Sequence, residues 1–96
     1  MSEHNVCSNS VFNGSKSEQV TLKNENSNAV TVSVCDTNDW PFSSPASPIT
    51  VPAKVGSTPG TVAVTLLGTD GTYHYCTSGC PAQLKADVNP KTVIIS

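Results

Sequence analysis

The sequence predicts an all-β domain, a two-sheet sandwich of about seven short strands. Three observations predict it. Apolar and polar residues alternate with period two in segment after segment, as in Thr61 to Leu67, where Val62, Val64 and Leu66 share one face. No segment sustains a helical period, and seven prolines are scattered along the chain, each a residue that interrupts helices. Clusters of Asn, Ser, Gly and Asp separate the alternating runs.

Taken in order, Val6-Cys7 and Val11-Phe12 supply a first strand or strand pair, and Asn13-Gly14 reads as a tight turn. Gln19 to Lys23 alternates with Val20 and Leu22 on one face, and Asn24 to Asn28 is a turn. In Ala29 to Cys35, Val30, Val32 and Val34 point inward and Thr31, Ser33 and Cys35 outward. Asp36 to Pro48 is a long loop carrying Trp40-Pro41-Phe42. Ile49 to Val51 is a short strand, Val55 to Pro59 a turn, and Thr61 to Leu67 a strand. Gly68 to Gly71 turns the chain into a strand at Thr72 to Cys76, and a loop from Thr77 to Pro90 precedes the last strand, Lys91 to Ile95. The 96 residues form one domain, 1–96.

Charge narrows the function classes. Net charge is −2, and the five cationic side chains are all lysine, scattered and without a basic cluster. Phosphate backbones demand a basic footprint, so nucleic-acid binding is not expected. No run of about 18 apolar residues exists, so no membrane span is expected. Four cysteines in so short a chain suggest disulfides and an extracytoplasmic compartment: periplasm, cell surface or secreted. Met1-Ser2-Glu3-His4 does not open a signal peptide, so the expectation is that a leader was removed. A small core also gains from cross-links. Cytosolic thiols or a metal site are the rival reading of the cysteines.

Two stretches carry a family pattern. Val20 to Val32 runs from a strand ending in Asn24 through a polar turn into Val30-Thr31-Val32, and Asp70-Gly71-Thr72-Tyr73-His74-Tyr75-Cys76-Thr77 is a Gly-Thr-Tyr strand ending in cysteine. Together they resemble the cupredoxins, the plastocyanin-like blue-copper proteins, over residues 11–96. The resemblance implies a seven- to eight-stranded Greek-key sandwich. It implies no blue-copper site: such a centre needs two His nitrogens and a Cys thiolate, usually with a weak axial Met. Here Val30 occupies the place of the first His, and Cys80 and Leu84 lie where the later ligands belong. An immunoglobulin-like sandwich is the alternative, since Asp70, Tyr73 and Cys76 resemble its last core strand, although the tyrosine there stands two residues before the cysteine.

Four cysteines allow three pairings, and spacing alone chooses none. The cupredoxin resemblance places the first strand beside the one holding Val30 to Cys35, which implies a Cys7–Cys35 bridge. Gly79 would then let Cys76 and Cys80 close a short loop. The crossed Cys35–Cys76 pair is set aside, because both residues share parity with polar neighbours.

His74, Cys76 and Cys80 are the one local group of metal-competent side chains, with Cys35 or His4 as a fourth ligand for Zn²⁺ or Cu⁺. The plain alternative is a disulfide beside an exposed histidine. His74 is also the obvious base for a nucleophilic cysteine, but no orienting third group can be named. There is no Gly-x-Ser-x-Gly elbow, Val55 to Gly60 is not a phosphate loop, and the carboxylates stand singly. No enzymatic activity is therefore expected. Asn13-Gly14-Ser15 matches the N-glycosylation acceptor pattern and reads by default as a turn. Trp40 and Phe42 are either a plug over one end of the sandwich or anchors for a partner. The expected function is a non-enzymatic extracytoplasmic module for partner binding or structure, without cofactor. It would serve an unknown protein partner or a parent multidomain protein. The alternatives are a copper-handling protein using Cys76, Cys80 and His74, or a thiol-disulfide redox protein.

Overall fold

The computed structural model describes residues 2–80 and 89–96. Among them the chain forms nine strands and no helix: β1 (Ser2–Asn5), β2 (Phe12–Gly14), β3 (Gln19–Asn24), β4 (Val30–Ser33), β5 (Phe42–Ser44), β6 (Ile49–Val51), β7 (Gly60–Leu66), β8 (Gly71–Ser78) and β9 (Lys91–Ile95). They build a four-stranded sheet in the order β1-β3-β7-β5 and a five-stranded sheet in the order β2-β9-β8-β4-β6. The pairs β1–β3 and β2–β9 are parallel, and the others antiparallel. The predicted two-sheet sandwich is the observed one, with more strands than the seven or eight expected.

Alternation produces the core. Val20 and Leu22 of β3, Val30 and Val32 of β4, Val64 and Leu66 of β7, Tyr75 of β8, and Val93 and Ile95 of β9 are all at most 2% exposed, and every second residue along these strands faces away. β8 is the clearest case. Tyr75 and Thr77 are buried, whereas His74 and Cys76 lie half-buried on the outer face.

Four local expectations need correction. Asn13-Gly14 is not a turn but part of β2, paired in parallel with Ile94 and Ile95 of β9. Glycine is required there because a Cβ on Gly14 would stand 2.3 Å from Leu66 Cδ1, so it marks a close approach between the sheets rather than a bend. The loop around Phe42 contains strand β5, which joins the edge of the four-stranded sheet opposite Leu66. Val34 lies beyond the end of β4 and is 38% exposed rather than core. The chain also pairs earlier than expected, with Ser2 to Asn5 alongside Val20 to Lys23.

The turn after β3 is fixed by one buried side chain. Asn24 is fully buried. Its Nδ2 donates to the carbonyls of Asn28 (2.8 Å), Pro52 (3.1 Å) and Val51 (3.3 Å), while Oδ1 accepts from Asn26 N and Nδ2, both at 2.9 Å. A buried amide needs such partners, and here they tie the 24–28 turn to the end of β6.

The disulfides are Cys7–Cys80, with Cα atoms 5.7 Å apart, and Cys35–Cys76, with Cα atoms 5.4 Å apart. All four cysteines are oxidised as expected, but the expected pairing, Cys7–Cys35 with Cys76–Cys80, is wrong on both counts. The first strand lies beside β3 in the other sheet, not beside β4, so Cys7 does not meet Cys35 across a strand pair. β4 and β8 are neighbours in one sheet, with Ser33 opposite Cys76. Shared outward parity therefore brings Cys35 and Cys76 together on the outer face rather than keeping them apart. Gly79 does bend the chain, at φ +105°. The bend carries Cys80 across to Cys7 instead of back to Cys76, and a Cβ at that position would meet Ala29 O at 2.7 Å.

Candidate functional site

The sequence-nominated trio of His74, Cys76 and Cys80 is not a ligand set. Cys76 and Cys80 have three residues between them but belong to different disulfides, so neither offers a thiolate. His74 is engaged by Asp39, whose Oδ2 lies 2.5 Å from Nδ1. The backbone N–H of His74 also donates to Asp39 O at 3.2 Å. Among the described residues, no group of three or more His, Cys, Asp or Glu side chains is placed to hold a metal ion. Val30, in the place of a first copper histidine, is fully buried in the core, and Leu84 lies outside the described residues. His4, considered as a fourth ligand, sits on β1 with its Nε2 3.2 Å from the Tyr75 hydroxyl. Among the described residues, the donors nominated from the sequence do not come together as a copper ligand set.

What surrounds His74 is an outer-face platform. Thr37 Oγ1 donates to Asp39 Oδ1 at 2.5 Å, and Asp39 Oδ2 pairs with the imidazole. Partial burial raises the Asp39 carboxyl. The hydrogen bonds from Thr37 and His74 and the charge of His74 outweigh that effect and hold the group below the usual carboxylate range. Beside this array lies a shallow groove of about 370 Å³ lined by Val34, Cys35, Asp36, Thr37, Cys76, Asn89 and Pro90. The Cys35–Cys76 bridge is part of its wall. Asp39 was not singled out from the sequence. The only available signal was its place in a turn after Cys35, because its pairing with His74 depends on how far β8 runs alongside that turn.

A second hollow, about 530 Å³, is lined by Glu25, Asn26, Ser27, Asn28, Lys54, Gly79 and Cys80. It lies against the other bridge, yet its cysteines are enclosed: Cys7 is 8% and Cys80 7% exposed. Asn26 Nδ2 covers Cys7 Sγ at 3.2 Å.

Phe42 is 4% exposed and belongs to the core. Trp40 is half-buried, its ring edge-on to Phe42 at 5.1 Å, with Nε1 donating to Pro45 O at 3.2 Å. The pair closes over the core as a plug does. The Phe42 ring also neighbours that of Tyr75, 6.3 Å between ring centres.

An interior polar cluster joins the two sheets. The His4 ring lies 4.6 Å from that of Phe12, and the Tyr75 hydroxyl donates to Val6 O at 3.3 Å. Burial, and secondarily the charge of Lys91, lowers the His4 pKa to about 4. Burial likewise raises that of Tyr75. Lys91 itself is 3% exposed, with Nζ donating to Asn9 Oδ1 at 2.9 Å.

No protein-family model matches this chain, and no curated protein matches it. Among solved structures, a point mutant of amicyanin, Cu(I), is similar to it at 13% sequence identity, with a TM-score of 0.47, over 90% of this chain and 69% of that one.

Proposed function

We propose that this chain is a non-enzymatic, extracytoplasmic β-sandwich module, a cupredoxin-like domain without a blue-copper site that serves partner binding or structure. The observation that carries this reading is the state of the cysteines. All four are in disulfides, including Cys76, the residue the family pattern would make the copper thiolate. Oxidised pairs belong to oxidising compartments, which supports the extracytoplasmic placement. A buried Val30 and a carboxylate-bound His74 supply no replacement ligands. The outer-face array of Thr37, Asp39 and His74 is a set of satisfied polar groups with a groove beside it, a surface suited to a protein partner or a parent domain.

Copper titration tests the proposal. Added Cu²⁺ is expected to give no intense thiolate-to-copper band, and thiol counting on the native protein to give none free. An intense blue colour at one copper per chain, or four free thiols with stoichiometric metal, would replace the module with the copper-handling alternative.

A further inference from the structure

We propose that the Cys35–Cys76 disulfide is a thiol-exchange site, reactive toward a small dithiol or the vicinal thiols of a partner, whereas Cys7–Cys80 is closed to the same reagent. The proposal goes beyond a module with two passive cross-links. It rests on how differently the fold presents two bonds of identical chemistry.

Exchange requires a thiolate to reach one sulfur from the side opposite its partner, so access decides which bridge reacts. Cys35 and Cys76 are both half-buried, on the outer face of the β4–β8 pair. Both line the groove with Val34, Asp36 and Thr37, and its volume of about 370 Å³ admits a small dithiol. Cys7 and Cys80 are only 8% and 7% exposed, and Asn26 lies over the Cys7 sulfur. Although Cys80 borders the second hollow, little of that bond faces a reagent in the folded protein.

The step balances as a two-electron transfer. A thiolate of the dithiol attacks one sulfur of the pair. The Cys35–Cys76 bond breaks, a mixed disulfide forms, and the other cysteine leaves as a thiolate that takes a proton from water. The second thiol of the reagent, deprotonated, then attacks its own sulfur in the mixed disulfide. The reagent leaves as a cyclic disulfide, and Cys35 and Cys76 are both reduced.

Opening this bond does not require unfolding. The segment after β4 stays attached to β8 through the His74–Asp39 pair at 2.5 Å and the His74 N–H on Asp39 O at 3.2 Å. Cys7–Cys80 continues to tie the sheets. The reduced form is therefore a folded protein with a loosened loop before Trp40, and reoxidation by a disulfide reagent restores the starting state.

The test uses the native chain below its unfolding temperature. Samples equilibrated with increasing dithiothreitol are quenched with an alkylating reagent and mapped by peptide mass. Cys35 and Cys76 are expected to be alkylated together, at dithiothreitol concentrations at least about tenfold below those that expose Cys7 and Cys80. The partly reduced protein is expected to keep a cooperative thermal transition. Simultaneous reduction of both pairs, prior reduction of Cys7–Cys80, or loss of the transition as soon as Cys35 and Cys76 are alkylated would each overturn the proposal.

Discussion

Cys7–Cys80 and Cys35–Cys76 differ in what they join. Cys7 follows β1 of the four-stranded sheet, and Cys80 follows β8 of the five-stranded one, so the first bridge ties sheet to sheet in a buried position. The second joins β8 to the segment just past the end of β4, its neighbour in the same sheet, on the outer face. Strands already hydrogen-bonded to each other gain little new definition from a bond between them. Two sheets joined by side-chain packing and a few hydrogen bonds, such as those of Asn24 to the end of β6, gain a fixed register. The same covalent bond is therefore a buried tie between sheets in one place and a half-buried, outer-face link within one sheet in the other.

The largest expected effect is on the tie. In the chain-entropy picture, a bond between residues 73 apart in sequence stabilises the fold by about 4.5 kcal/mol. A Cys7→Ser/Cys80→Ser double variant is expected to lose that much or more, since it also leaves two hydroxyls in an enclosed site. Out of the 5–15 kcal/mol typical of a domain, that loss shows as a large drop in the urea midpoint. The outer bridge has a separation of 41 residues, and Cys35→Ser/Cys76→Ser is expected to lose about 4 kcal/mol at most. If the outer pair proves the costlier to remove, the contrast between the bridges fails.

The next effect sharpens the same contrast, because His4 sits at the sheet-to-sheet junction on the strand that leads to Cys7. Its folded pKa of about 4 lies below the ordinary 6.5, so the unfolded chain binds more protons between these values. Stability is then complete above about pH 6.5 and declines as pH falls toward 4, by about 2–3 kcal/mol. His4→Gln is expected to flatten this window in denaturant titrations run at several pH values. A separate loss as pH falls through the carboxylate range would remain, because the fold holds the Asp39 and Glu18 carboxyls below their ordinary values. An unchanged slope in the variant would place the acid sensitivity elsewhere.

The smallest effect belongs to the outer face. Asp39 and His74 side chains are 27% and 24% exposed, and pairs of that kind contribute less than about 1 kcal/mol. Asp39→Asn is expected to change stability by no more than that, and to leave the Cys7–Cys80 bond as resistant to reductant as before.

The sandwich was legible in the sequence because its central strands alternate cleanly. Val20 and Leu22, Val30 and Val32, and Val64 and Leu66 show the period directly and are buried as it requires. The edges were not legible. Ser2 to Asn5 is polar throughout, with no core face for a pattern to reveal, and it pairs only because Glu3, His4 and Asn5 run beside β3, with Glu3 3.5 Å from Lys23. β5 has three residues, too few for alternation, and only Phe42 among them is buried. Gly14 looked like a turn because sequence does not show that Leu66 fills the space of its Cβ.

The site was legible in composition and not in arrangement. Oxidised cysteines followed from their number in a short chain, but the pairing depends on which sheet receives β1, a tertiary fact. Parity correctly turned Cys35 and Cys76 outward. It did not reveal that β4 and β8 are neighbours, which makes outward residues the ones able to meet. His74 was noticed for its nearness in sequence to two cysteines, and its partner proved to be Asp39, which lies 35 residues away in the chain.

Non-reducing peptide mapping of the native protein tests the central claim most directly. Proteolysis without reductant, with free thiols blocked beforehand, is predicted to yield one linked pair of peptides containing Cys7 and Cys80 and another containing Cys35 and Cys76. Recovery of Cys7 linked to Cys35, or of Cys76 linked to Cys80, would contradict both the strand order and the contrast between a buried tie and an outer-face bond.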